Sequence, residues 1–135
     1  MTQILVKDVM IDNPPYVKCG ESLDGAVEKL IQHKLLGLPV VDEKKQVLGF
    51  LSEQDCIHTM LISSYHCEES RSVDDIMSHQ VLTVGPNESI IDVAQRMGKE
   101  KPKSYPVVAE GKLIGLLTRN NILQALWENH AECST

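Results

Sequence analysis

Two four-residue stretches carry the residue types of a polar binding site: Ser52-Glu53-Gln54-Asp55 and Thr118-Arg119-Asn120-Asn121. In each, an apolar run ends at a hydroxyl, and an oxygen acceptor follows three residues later. If a strand turns into a helix there, the first N–H groups of the helix are unpaired, and with the helix dipole they favour an anion. One turn into that helix, the Asp55 carboxylate could accept from both hydroxyls of a ribose, and the Asn121 amide oxygen less strongly. The pattern has a second meaning. Ser-x-x-Asp is also a capping box, which stabilises a helix start by about 0.5–2 kcal/mol without any ligand. The two meanings are compatible, because a hydroxyl that caps a helix can turn toward a phosphate.

The stretches come in a pair because the whole chain does. Val6-Lys7-Asp8-Val9-Met10 returns as Val73-Asp74-Asp75-Ile76-Met77, Glu21-Ser22-Leu23 as Glu88-Ser89-Ile90, and Leu38-Pro39-Val40-Val41 as Tyr105-Pro106-Val107-Val108. After one deleted residue, Val47-Leu48-Gly49-Phe50-Leu51-Ser52 matches Leu113-Ile114-Gly115-Leu116-Leu117-Thr118. Repeated units of this kind bury their apolar faces against each other, so any site between them is formed twice.

Each copy reads β-α-β-β-α. Tyr16-Val17 opens the first as a short extended piece, and Ser22 caps a helix with Leu23, Ala26, Val27, Leu30 and Ile31 along one stripe. Leu38–Val41 and Val47–Leu51 are apolar, β-branched strands around the polar turn Asp42-Glu43-Lys44-Lys45. A second helix starts at Ser52, with Ile57, Met60 and Leu61 expected on its inner side. In the second copy Ile90, Val93, Ala94 and Met97 form the stripe behind Ser89, Tyr105–Val108 and Leu113–Leu117 are the strands, and Ile122, Ala125, Leu126 and Trp127 ride on the last helix. The fold class is α+β, with repeat one at 1–62, a polar linker at 63–72, repeat two at 73–130 and a tail at 131–135.

Composition removes several classes of function. A net charge of -6 argues against a nucleic-acid partner, which needs a basic face, and 4% aromatic residues leave little to stack single-stranded bases on. No run approaches the ~18 apolar residues of a membrane span, and charge at Lys7 and Asp8 interrupts any secretory signal. Cys19, Cys56, Cys67 and Cys133 form no CxxC pair and read as reduced cytosolic thiols. No Ser/Cys-His-acid order, metal motif or phosphate-loop signature appears, so the chain reads as a non-enzyme with no required cofactor.

The order of elements, the Pro-Val-Val strand and Gly-apolar-apolar-Ser/Thr-x-x-Asp/Asn, twice in register from Val6 to Trp127, resemble the cystathionine-β-synthase (CBS) domain. The resemblance implies a CBS pair, or Bateman module, with two clefts related by a pseudo-twofold axis. It further implies ligands such as AMP, ADP, ATP, S-adenosylmethionine or NAD(H). Carried over residue by residue, one cleft joins Ser52 and Asp55 to Ser78 and Leu82, with Ser104 and Tyr105 nearby. The other joins Thr118 and Asn121 to Ile11, Pro15 and the Leu36-Gly37-Leu38 backbone. Asp55 makes the first the better ribose site. Family members often place a basic side chain before the Pro-Val strand. Gly37 and Ser104 stand there in this chain, and Lys101, Lys103 and Arg119 are the substitutes for phosphate near the second cleft.

The resemblance also implies a homodimer formed through helices, for which Ile57, Met60, Leu61, Ile122, Leu126 and Trp127 are the candidates. A dimeric scaffold regulating an unknown protein partner is the alternative function. A thiol or metal sensor built on Cys56, His58, His66 and Cys67 is a third, although their spacing matches no closed zinc site.

Overall fold

The computed structural model describes residues 3–63, 71–100 and 103–133. Lys101, His66, Cys67, most of the expected 63–72 linker and the end of the 131–135 tail lie outside them. The chain forms two compact units whose limits differ from those of the repeats. Pro15–Val81 is one, called here the internal unit; the stretch up to Pro14 joins that from Leu82 onward in the other, the terminal unit. Each unit thus contains most of one repeat and the opening segment of the other.

In the internal unit, β2 (Val17–Lys18), β3 (Gly37–Val41) and β4 (Val47–Ser52) form a sheet in that order, with β2 parallel and β4 antiparallel to β3. β3 is buried along its length, as its continuous apolar sequence requires. Helix α2 (Leu23–His33) starts where Ser22 Oγ accepts the Gly25 N–H at 3.2 Å and stops at Lys34, whose φ of 54° breaks the helix. Its Leu23, Ala26 and Leu30 are in the core, but Ile31 is 71% exposed and leaves the expected stripe. A larger correction concerns α3 (Glu53–Ser63): Ile57, Met60 and Leu61 are all exposed, and Cys56 is the residue that enters the core. The Ser52–Asp55 cap fixes the rotation of the helix, which turns the Cys56 side inward.

In the terminal unit, β1 (Ile11–Asp12), β6 (Lys112–Thr118) and β5 (Ser104–Ala109) form an antiparallel sheet in the order β1-β6-β5. α1 (Val6–Val9), α4 (Ile90–Glu100) and α5 (Arg119–Cys133) belong to the same unit. The second copy's opening strand is reduced to one parallel bridge, Val84 to Val107. Val6, Val84, Ile90, Val93, Tyr105, Val107, Leu117 and Ile122 pack into one core. Ile122 is therefore a core residue and not part of any exposed face. α5 runs into the stretch read as a tail, because Ala131 and Glu132 favour helix and no Gly or Pro stops it. The deleted residue is explained by the hairpins. Glu110 and Gly111, at φ 53° and 78°, make a two-residue turn, while the first copy uses the longer Asp42–Gln46 loop, whose Asp42 Oδ1 accepts from Lys44 N and Gln46 N.

Candidate functional site

The signature glycines position the sites. At Gly49 a Cβ would stand 2.6 Å from Met77 Sδ and 2.7 Å from Ser78 O; at Gly115 it would collide with Met10 Sδ. Only glycine lets the Met-Ser or Met-Ile segment of the other repeat approach so closely. Phe50 and Ser78 then exchange two backbone hydrogen bonds of 2.9 Å, and Ile11 pairs with Leu116. Both segments therefore lie beside the strand that ends in the polar motif.

In the internal unit, Ser52 Oγ accepts the Asp55 N–H at 3.0 Å, and the Ser52 N–H reaches Asp55 Oδ2 at a long 3.4 Å. The capping meaning of the motif is thus real, yet the loose second bond leaves the carboxylate acceptor capacity to spare. Ser78 is exposed, and its Oγ donates to Gln80 O at 3.4 Å. Gly37 lies opposite Ser52, and Leu36 O accepts the Glu53 N–H at 2.8 Å, so this backbone adjoins the motif of its own repeat. The Leu38 side chain is wholly buried, which leaves only its backbone for a ligand. Pro15 lines a separate hollow with Tyr16, Lys18, Glu21, Lys29 and His33.

In the terminal unit, the Asn121 N–H donates to Thr118 Oγ1 at 3.1 Å. Asn121 Oδ1 accepts twice, from Thr118 N at 3.0 Å and Thr118 Oγ1 at 2.8 Å. Both lone pairs of that oxygen are engaged, so the amide offers a ligand mainly its N–H donors. Ser104 lies opposite Thr118, and Lys103 O accepts the Arg119 N–H at 3.1 Å, with both basic residues exposed. Leu82 is exposed in this unit, whereas the Tyr105 side chain is buried in the core and only its backbone could meet a ligand.

Two residues of the internal site escaped the reading from sequence. A Cβ on Gly37 would overlap the Phe50 ring, so the half-buried ring lies across Gly37, and strand alternation puts it on the face of Ser52. Glu53, exposed in the first turn of α3, holds the place that Arg119 holds in the other copy. Setting the two motifs side by side would have revealed that opposition. Burial, and secondarily the Asp55 carboxylate, push the Cys56 thiol up to about 11, which withholds the thiolate a thiol sensor needs. Among the described residues no three His, Cys, Asp or Glu side chains gather as metal ligands, and no helix is long and apolar enough to cross a membrane.

The CBS domain description matches this chain twice, over residues 6–62 and 73–128. The chain belongs to the CBS domain family. Among solved CBS structures, that of CBSX2 in complex with AMP is 33% identical, with a TM-score of 0.80 over 93% of this chain and 98% of that one. A putative acetoin utilization protein from Vibrio cholerae is 27% identical, with a TM-score of 0.85 over 97% and 98%. The CBS domain pair of protein MJ0100, in complex with 5′-methylthioadenosine and S-adenosyl-L-methionine, is 26% identical, with a TM-score of 0.80 over 95% and 99%. The chloroplastic CBS domain-containing protein CBSX2 of Arabidopsis thaliana is 30% identical over 81% of this chain and 57% of its own length. A homoserine O-acetyltransferase of Methanococcoides burtonii is 31% identical over 90% of this chain but only 24% of that protein. The chain spans less than two thirds of these curated relatives.

Proposed function

We propose that the chain is a regulatory CBS pair that binds adenosine-containing ligands and acts as a cytosolic metabolite sensor without catalysis of its own. The observation that carries this reading is the double construction of one polar site, at Ser52–Asp55 beside Ser78 and at Thr118–Asn121 beside Ile11. A capping box needs no neighbouring segment from another repeat, and a ligand site does. The AMP complex of CBSX2 and the methylthioadenosine and S-adenosylmethionine complex of MJ0100 support the ligand class. Thermal-shift and calorimetric titration with AMP, ADP, ATP, S-adenosylmethionine and NADH tests the reading. At least one dissociation constant of ~1 µM–1 mM is expected, as suits a sensor of metabolite levels. Silence from all five at millimolar concentration would move the function to that of a scaffold.

Self-association is supported by matched surfaces. α3 exposes Ile57, Met60 and Leu61, and the equivalent places on α5 expose Leu123, Leu126 and Trp127. Apolar surface recurring at repeat-equivalent positions fits a homodimer built from these helices, which would act on an unidentified regulated protein. Light scattering should give twice the chain mass, and Met60→Glu or Leu126→Glu should lower it. A monomer at ~100 µM, well above the ~1 µM dissociation constant of a stable dimer, would count against it.

A further inference from the structure

The apolar surface outside the two cores is divided unequally between the repeats. In the internal unit, α2 and α3 flank a hollow of about 520 Å³ walled by Ile31, Leu36, Ile57 and Met60, with Lys34 and Glu53 also lining it. Each of the four apolar side chains is at least 44% exposed, so the walls meet solvent in the single chain. The second repeat does not carry the same walls: Gly98 stands where Ile31 does, and Lys103 where Leu36 does. It carries a larger projection instead. Trp127, the only tryptophan of the chain, is 68% exposed on α5 at the place that Leu61 holds on α3. One repeat therefore has the groove, and the other has the kind of side chain that anchors an interface by filling one.

The charges point to the same pairing. Glu53, Ile57 and Leu61 follow one another at four-residue intervals along a face of α3, and Arg119, Leu123 and Trp127 do so along α5. Each row is about 12 Å long. Two α3 rows laid side by side in the same direction would set Glu53 against Glu53, and two α5 rows would set Arg119 against Arg119. Only the mixed pairing brings Glu53 to Arg119. The nearest remaining charges obey the same rule. Lys34 belongs to the groove, and Glu128, which accepts from Gln124 Nε2 at 3.0 Å, belongs to α5.

We propose that the groove between α2 and α3 of one copy takes Leu123 and Trp127 of a second copy. The interface then joins unlike repeats, and each copy carries both surfaces, so the contact can form twice in a closed pair. This rests on the homodimer reading above and adds which helix meets which.

Disulfide trapping in the full chain tests it, with Cys19→Ser, Cys67→Ser and Cys133→Ser removing other thiols and the buried Cys56 retained. One chain carries Ile57→Cys and another Leu123→Cys, both at exposed positions. Oxidised together, the two should form a covalent pair; oxidised separately, each should stay single. A covalent pair from either chain alone would mean that like helices meet, and would overturn the proposal. So would the absence of any trapped pair in a chain that light scattering shows to be dimeric. Charge exchange gives an independent reading. Glu53→Arg or Arg119→Glu alone should weaken the dimer roughly tenfold, and both changes in one chain should restore it. Single exchanges without effect would count against the mixed pairing. A chain that is monomeric throughout would instead remove the homodimer reading itself, and this inference with it.

Discussion

The internal and terminal units solve the same backbone problem in the same way and then part company in side-chain chemistry. Both strand pairs shift register at matched points, Val40/Val41 and Val107/Val108, and both admit a methionine segment at a signature glycine. Both also tie a glutamate to a cation at matched places, Glu21 to Lys29 and Glu88 to Arg96. Around the polar motif, however, Asp55 is matched by Asn121, Glu53 by Arg119 and Phe50 by the fully buried Leu116. Positions that let another segment approach are held constant because backbone contacts tolerate no added atom. Positions around the polar motif diverge, and Asp55/Asn121 and Glu53/Arg119 diverge in charge.

The largest test of the matched architecture is at Leu38 and Tyr105, equivalent residues that are each buried in the core of their unit. Leu38→Ala should cost about 2–5 kcal/mol and Tyr105→Ala about 3–5 kcal/mol in urea unfolding, since each leaves a cavity that the sheet cannot close. A cost below ~1 kcal/mol at either would mean that the two cores are not built alike.

A second comparison sets Cys56 against Ile122, the core residues at matched places on α3 and α5. The Cys56 thiol is raised from 9.0 to about 11 in the folded chain, so folding favours its protonated form. Its contribution is whole below pH 9 and is lost as pH rises through 9 to about 11, up to roughly 2–3 kcal/mol across that window. Cys56→Val should flatten stability over that range, and a thiol reagent at pH 7 should label exposed Cys19 well before Cys56. Equal labelling would contradict the burial.

The repeat, the strands and the caps were legible because a constant offset makes one copy annotate the other. The rotation of α3 was not. Ile57, Met60 and Leu61 have helical spacing, but Cys56 is equally apolar, and only the cap geometry decides which side turns in. The exchange of opening segments, which puts Met77 at Gly49 and Met10 at Gly115, was expected only from the family resemblance and is written in no local pattern. Within the site the hydroxyls and acceptors could be read by type. That Asn121 spends its oxygen on Thr118 required coordinates.

The proposed ribose contacts of Asp55 and Asn121 can be compared with a neutral ligand, 5′-methylthioadenosine, which removes phosphate from the question. Asp55→Ala should weaken its binding by about 1.5–3 kcal/mol, the range for a hydrogen bond to a charged group, and Asn121→Ala by less. The reverse order would show that the amide site is the ribose site and the ranking of the two is wrong.

The smallest expected difference lies in the two ion pairs. Arg96 Nη2 meets Glu88 Oε1 at 2.7 Å while Oε2 of the same carboxylate accepts the Gly85 N–H, so each oxygen has its own partner. Lys29 Nζ stands 3.5 Å from Glu21 Oε2, an oxygen already taken by the Lys18 N–H at 2.7 Å, and its shorter bond, 2.9 Å, goes to Tyr16 O. All four side chains are over a third exposed, so water screens both pairs. Double-mutant cycles should give a coupling of about 0.5–1 kcal/mol for Glu88–Arg96 and about 0.2–0.5 kcal/mol for Glu21–Lys29, both shrinking in high salt. Because Lys29 also ties down the Tyr16 carbonyl, Lys29→Ala should cost more than its coupling to Glu21, and Arg96→Ala should not exceed its own coupling by a comparable margin. Equal couplings in the two cycles would mean that the shorter distance in the terminal unit carries no energetic advantage.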